Sequence, residues 1–371
     1  MESKYTNPPI IDSNPVPASL LLDEANPKEV KIDSLFKLRI KRFYANKRAR
    51  VFFFIFIFLC VISLFAPFLA NEKPLLIYKD HKFYFPVFIN YPETAFGGEF
   101  YTSPDYNDPY VKNLLKGAFI LKAPIPYSPS SIDWHLKNTP PTSPSLKHLL
   151  GTDDQGRDVL TRVLYGTSIS LAFGLILSLL SSIIGIGVGA LQGYYGGLVD
   201  LLGQRFIEIW SSVPTLFLLI ILASLVTLNF WFILLITLAF SWMSLVGVVR
   251  AEFLRARAHD YVKASIALGL SNIRIIFIHI LPNALVATIT YLPFIIAGSI
   301  TTLVSLDFLG FGMPIGTPSL GELLNQAKNN LQSPHLAIVA FVIVSLILSS
   351  LVFIGEGIRD AFGQKANQGP L

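Results

Sequence analysis

Residues 250–283, RAEFLRARAHDYVKASIALGLSNIRIIFIHILPN, lie between two apolar segments, each long enough to cross a bilayer. Arg250, Arg255, Arg257 and Lys263 make the first half basic. Ala264, Ser265, Ala267 and Gly269 follow as a run of small residues, and Pro282 closes the stretch just before the next apolar span. A polar island of this make-up between two spans reads as a cytoplasmic loop built to touch another protein.

Working outward, composition sets the class. Of 371 residues, 52% are hydrophobic and only 14% are charged, with a mean hydropathy of +0.56. That balance belongs to a multi-span membrane protein. The formal charge is +5, but the basic residues crowd the ends of apolar spans, where the positive-inside rule puts them. No basic groove interleaved with aromatics points to nucleic acid. The single cysteine, Cys60, sits in the first apolar run, so neither a disulfide framework nor a C-x-x-C site is expected.

Residues 1–27 are rich in Pro, Asn and Ser and read as a disordered tail; with the basic flank that follows, 1–50 form a cytoplasmic N-terminal region. The 20 charge-free residues 51–70 make one spanning helix, since about 20 residues cover the hydrocarbon core. A cleaved signal peptide fits poorly, because the apolar run is too long and starts too far in. Residues 71–160 are polar and rich in Pro, Tyr and Phe. They alternate in KPLLIYKDHKFYFPVF as two short strands turning near Asp80, and form an extracytoplasmic insert and interfacial segment. Next comes HLLGTDDQGRDVLTRVLYGTSISL, residues 148–171. Its Asp153, Asp154, Gly156 and Asp158 fail the EF-hand spacing, so no metal is expected. Asp153 or Asp154 is expected to cap a short interfacial helix with Val159, Leu160, Val163 and Leu164 on its apolar face, and Asp158 to pair with Arg162 at i, i+4.

A membrane core over 161–355 and a cytoplasmic tail over 356–371 complete the chain. Span two, 167–199, carries Gly174, Gly185, Gly187 and Gly189 as a small-residue surface for close helix packing. A glycine-rich turn follows at Gly193, Tyr194, Tyr195, Gly196 and Gly197; it lacks the phosphate-loop spacing. The 41 charge-free residues 209–249 are too many for one crossing and break near Thr227, Asn229 and Trp231, giving spans three and four. Spans five and six fall near 284–305 and 336–355. The fold class expected is therefore an all-α integral membrane protein of six transmembrane helices, both termini cytoplasmic, with a small mixed extracytoplasmic insert between helices 1 and 2. No expected span contains Asp, Glu, Lys, Arg or His, so the usual carrier of ion or proton coupling is missing. The six histidines form no H-E-x-x-H and no G-x-S-x-G is present, so no catalytic residue is assigned. Two alternatives stay open: a secondary transporter or channel acting alone, and a membrane-anchored interaction protein whose insert is the working part.

The loop also carries a family resemblance. Tyr261-Val262-Lys263-Ala264-Ser265-Ile266-Ala267-Leu268-Gly269, then nine residues, then His279-Ile280-Leu281-Pro282 resembles the EAA loop of ABC importer permeases: E-A-A, three residues, Gly, nine residues, I-x-L-P. Lys263 stands in place of the glutamate, Ser265 in place of the second alanine, and His279 in place of the isoleucine. HLLGTDDQGRDVLTRVLYGTSISL is similar to the signature before helix 2 of dipeptide and oligopeptide permeases of the second-subunit type, through Gly151, Thr152, Asp153, Gln155, Gly156, Arg157 and Asp158. LDFLGFGMP before span six is similar to their outer loop, and IYKDHKFYFPVFINYPETAFGGEF looks like the permease of microcin C-type peptide importers. The resemblance implies the type I ABC importer permease fold, and ATPase-subunit docking through Tyr261, Lys263, Ala264, Ser265, Ala267, Leu268, Gly269 and Pro282. It further implies a homologous second permease, two ATP-binding subunits and an extracytoplasmic peptide-binding protein as partners. No cofactor would be bound by this chain, ATP and Mg belonging to the partner subunits. The setting is the cell inner membrane with its lipid, and no nucleic acid.

Overall fold

The computed structural model of the chain describes residues 35–314 and 316–363. The tail read over 1–27 and the end of the C-terminal segment, 364–371, lie outside them. Helix α1 (Leu35–Ala45) leads into α2 (Lys47–Leu64), capped by Asn46, whose side chain accepts from the Ala49 amide. A further turn, α3 (Ala66–Leu69), extends α2 past Phe65.

The insert then departs from the bundle. Strands β1 (Leu76–Lys79) and β2 (Lys82–Tyr84) pair antiparallel. Asp80 and His81, both at positive φ, make the two-residue turn between them, the handedness that a tight hairpin requires. Helix α4 (Pro109–Leu114) follows, and then β3 (Phe119–Leu121), which pairs with the other side of β1 and was not foreseen from sequence. Ile77, Phe96, Tyr106, Val111 and Leu115 form the insert's own apolar core.

Helix α5 (Val159–Tyr195) runs without interruption. This corrects the expected short interfacial helix: nothing between Leu164 and Thr167 breaks the chain, and Gly166 lies tight against the Ser319 and Leu320 backbone. The cap is Asp158, which accepts from the Thr161 amide at 2.8 Å, and neither Asp153 nor Asp154 fills that place. The glycine-rich turn is also shorter than expected. Gly193 to Tyr195 stay helical, because Gly185, Gly189 and Gly193 form one stripe on which another helix lies. A Cβ there would stand 2.7, 2.8 and 2.7 Å from the carbonyl oxygens of Trp242, Val246 and Arg250. Bare backbone is what lets these two helices close. Replacing Gly189 by leucine should therefore cost about 1–3 kcal/mol through overpacking, seen as a lower unfolding temperature in detergent; an unchanged temperature would show that the contact is not tight.

Helices α6 (Gly197–Ser211) and α7 (Thr215–Leu225) are bent by 58° at the intervening break. Asn229 caps α8 (Phe230–Ser241), which continues as α9 (Met243–Arg257). Beyond α10 (Asp260–Ala267) and the single turn α11 (Asn272–Arg274), a π-helical turn over Ile275–Ile280 feeds α12 (Leu281–Leu309). The helical path into span five thus begins at Asn272, ahead of the expected 284. Pro282 does not stop it. Lacking an N–H and crowding the carbonyl four residues back, the proline widens the turn before it. Amphipathic α13 (Leu320–Asn329) and long α14 (Pro334–Phe362) close the fold.

Among the described residues, four helical stretches are long and apolar enough to cross a membrane: α5, α8 with α9, residues 272–309, and α14. The bent pair α6 and α7 makes up to five. Apolar clusters bind α5 to its neighbours along its whole length. Phe52 of α2 stacks on Phe353 of α14 at 4.4 Å, and Gly357 admits Ala49 at that crossing.

Candidate functional site

Three features of the bundle carry chemistry. The first is the segment between α9 and α12. Val262 and Ser265 face inward, Val262 joining Phe253, Ile275, Ile276 and Ile280 in one cluster. Ser265 donates to the Tyr261 carbonyl at 2.8 Å. Tyr261, Lys263, Ala264, Ala267, Leu268 and Gly269 face outward, and Pro282 is exposed. Gly269 has φ +76, its amide donates to the Ile266 carbonyl at 2.9 Å, and the Leu270 amide donates to the Ser265 carbonyl at 3.2 Å. These two bonds are a Schellman ending, which needs a residue at ease in the left-handed region. Asn272 accepts from the Tyr194 hydroxyl at 2.8 Å, tying the segment to the end of α5. Large apolar side chains stand on this outward surface beside the charged ones: Leu268 is 80% exposed and Ile273 70%, with Ile266, Phe277 and Ile278 also open.

The cations of this segment are mostly occupied at home. Arg250 grips Asp200, with Nη2 2.6 Å from Oδ2. Arg257 donates to the Tyr195 carbonyl at 3.1 Å, and Arg255 pairs with Glu252 at 3.0 Å. Lys263 lies 3.3 Å from Asp260, both exposed, and a pair in that setting adds little stability. Lys263→Glu is expected to leave assembly and transport intact; loss of assembly would show that the lysine meets a carboxylate on a partner.

The second feature sits at the opposite, insert end of α5. Arg162, fully buried, donates to the carbonyls of Pro129 at 3.0 Å and Thr317 at 3.1 Å, and to Glu322. Its Nε lies 3.4 Å from Asp153 Oδ2, near enough to pair though not aligned as a hydrogen bond. Arg157 reaches Asp153 at 2.6 Å and Glu322 at 3.2 Å. The expected Asp158–Arg162 pair does not form: Asp158 is taken by Thr161 and by His148 Nδ1 at 2.9 Å. The other His148 nitrogen meets Asp133 at 3.1 Å, and Tyr127 stacks on the ring. Thr152 binds Thr142 at 2.9 Å and its carbonyl faces His335 at 3.2 Å. Gly151 and Gly156 take φ +81 and +80 to make these turns, and the exposed Gln155 donates its amide to Asp153. The cluster is a structural knot that joins insert, α5, α13 and α14. Among the described residues, no group of three or more His, Cys, Asp or Glu is arranged to hold a metal ion.

Burial pushes against the charge of Asp133, but hydrogen bonds from Lys147, the His135 amide and His148 outweigh it and hold the carboxyl down to about 2, from 3.8. A carboxyl depressed on folding adds stability above its unfolded value, and that stability is lost as pH falls through the folded one. Acid unfolding of the insert end should therefore be steep between about pH 4 and 2. Asp133→Asn should flatten it; an equally steep profile in the variant would assign the effect elsewhere.

The third feature is a cleft of about 510 Å³ between α7, α8, α9 and α12, with Leu177 of α5 at its base. Its polar lining is hydroxyl only, from Thr215, Thr237, Ser241, Ser244, Tyr291, Ser299 and Thr302, with no charged side chain.

The family model of binding-protein-dependent transport system inner membrane components matches residues 185–368, and that of the N-terminal TM domain of oligopeptide transport permease C matches 34–88. The inner membrane ABC transporter permease protein YejE of Escherichia coli K12 is 56% identical over 87% of this chain and 95% of its own. This chain belongs to the permease family of peptide ABC importers. The peptidoglycan transport system permease protein YejE of Agrobacterium fabrum C58 is 46% identical over 91% of this chain and 94% of its own. The dipeptide transport system permease protein DppC of Haemophilus influenzae Rd is 38% identical over 60% of this chain and 75% of its own. The permease is thus a multi-pass membrane protein of the type I ABC permease fold.

In the permease, the two motifs read from sequence lie at opposite ends of α5. The residues expected to dock an ATPase are exposed, except Ser265, which is turned inward. The exposed apolar residues Ile266, Ile273, Phe277 and Ile278 were missed. Ile273, Phe277 and Ile278 sit in an isoleucine- and phenylalanine-rich run that reads equally well as the start of a span. His148 and Glu322 were missed as members of the ionic knot, because no spacing joins positions 133, 148, 158 and 322.

Proposed function

We propose that the permease forms half of the translocation pathway of an ATP-driven peptide importer, paired with a homologous second permease and served by a peptide-binding protein. The observation that carries the coupling part is α10 with the turn after it: a short helix anchored inward by Val262 and ended by Gly269, set between two spans, with Ile266, Leu268, Ile273, Phe277 and Ile278 open beside its exposed small and charged residues. An amphipathic helix of this kind fits a groove on a partner. Two ATP-hydrolysing subunits, holding ATP and Mg, are its partners, and this chain is the non-catalytic membrane subunit. If α10 moves with the ATPase, ATP binding shifts the bundle only to the extent that the docked helix binds differently in the two states.

Six crossings complete the reading. α2 holds 18 residues, Lys47, Arg48 and Arg50 in its first turns, and at 1.5 Å per residue spans roughly 27 Å; α3 adds a further turn. With α6 and α7 as one bent span, both termini and α10 lie in the cytoplasm and the insert lies outside, as the basic flank of α2 favours. The relatives that carry peptides point to peptide cargo.

The test is a disulfide trap. Ala267→Cys, in a Cys60→Ala background and co-expressed with its neighbouring ATPase carrying single cysteines around its groove, should crosslink. An assembled complex that never crosslinks at 264 or 267 would end the docking assignment.

A further inference from the structure

The cleft between α7, α8, α9 and α12 is unlike the rest of the bundle's exposed surface. Much of the open surface elsewhere is apolar, as at Leu202, Phe206, Ile209 and Phe217 on α6 and α7, and at Phe341 and Val342 on α14. Side chains of that kind suit lipid. Inside the cleft, hydroxyls are mixed with apolar groups, and four of them spend their protons within their own helices, whereas Thr215 and Tyr291 make no hydrogen bond among the described residues. Thr237 donates to the Ile233 carbonyl at 2.7 Å, Ser244 to Ser241 at 2.8 Å, Ser299 to Ile295 at 2.9 Å and Thr302 to Gly298 at 2.9 Å. Each oxygen retains acceptor capacity. The walls thus offer several weak acceptors, the Thr215 and Tyr291 hydroxyls that can also donate, and no fixed charge.

That chemistry suits one kind of visitor. An extended peptide inside a membrane brings unpaired backbone N–H groups, each costly to leave without an acceptor. It also brings side chains of either charge. A carboxylate or ammonium on the wall would attract one class strongly and repel the other in a site screened from bulk water; hydroxyl oxygens do neither. We propose that this wall is the part of the pathway that touches the moving peptide, accepting hydrogen bonds from its backbone amides while staying neutral toward side-chain charge.

The proposal rests on the transport reading above, and the experiment separates the two. The complete transporter, reconstituted in liposomes, is given three tripeptides differing only in a central Asp, Ala or Lys. Uptake by Thr302→Asp and Thr302→Lys is compared, peptide by peptide, with the native complex. Thr302→Asp should depress the Asp peptide relative to the Lys peptide by roughly tenfold, and Thr302→Lys should reverse the sign. An unchanged ratio in both variants overturns the proposal while leaving peptide transport standing. Failure of both charged variants to assemble, with Thr302→Asn and Ser244→Asn on α9 assembling normally, also overturns it, since the cleft would then be packed against the second permease. Should only Thr302→Asp fail to fold, Ser244→Asp repeats the comparison from α9. No ATP-driven uptake of any peptide by the native complex would instead reject the transport reading itself.

Discussion

Replacing Arg162 by leucine should remove about 3–5 kcal/mol of stability, the usual cost of breaking a buried ion pair from one side. The guanidinium is fully buried and bonds two backbone carbonyls, at Pro129 and Thr317, besides pairing with Asp153 and Glu322. Without it, Asp153 keeps Arg157, but Glu322 loses one of its two cations and the carbonyls lose their donor. The expected result is a purified complex with a much lower unfolding temperature and an insert readily cut by protease. Arg162→Lys should fail nearly as badly, because an ammonium cannot match the planar fork that reaches two separate backbone segments and two carboxylates. If Arg162→Leu unfolds at the native temperature, the knot is not what holds the insert to the bundle. The double variant Arg162→Leu with Glu322→Leu should recover part of the loss, since it removes one of the stranded charges as well.

Replacing Gly269 by aspartate should abolish coupling of ATP hydrolysis to transport, for a reason the structure sharpens. A Cβ at Gly269 would meet nothing within 4 Å in this chain, so no intramolecular clash forbids a side chain. Two constraints remain. The φ of +76 disfavours most side chains by roughly 1–2 kcal/mol, though Asn and Asp are the best tolerated. The other is close approach by a docked partner. Gly269→Asn and Gly269→Asp share nearly the same shape and backbone cost, so a failure in both beyond that small cost reports on docking, and a failure confined to Asp reports on charge. The readout is peptide-stimulated ATPase activity beside uptake in liposomes. Normal coupled transport by Gly269→Asp in an assembled complex would remove the segment from the docking surface.

Much of this was readable in advance, and for identifiable reasons. A charge-free run of 41 residues has to break, and Asn229 breaks it by capping α8. The small-residue pattern of span two announced close packing, and Gly185 and Gly189 provide it. Local turn chemistry placed a hairpin at Asp80, and the left-handed ending at Gly269 followed from glycine's freedom. The errors share a cause as well. Asp158 and Arg162 have the right spacing for a helix pair, but spacing cannot reveal that better partners come from residues 148 and 322.

What the sequence determined by itself was class and punctuation: a multi-span membrane chain, its loops and its two motifs. Those properties follow from solvent preference and local backbone sterics, which each residue carries with it. Tertiary structure decided which charges meet in the knot, which side of α10 remains open, and that a hydroxyl-lined cleft lies between α7, α8, α9 and α12. These depend on distances between segments far apart in the chain, and each buried polar group takes whichever partner packing delivers.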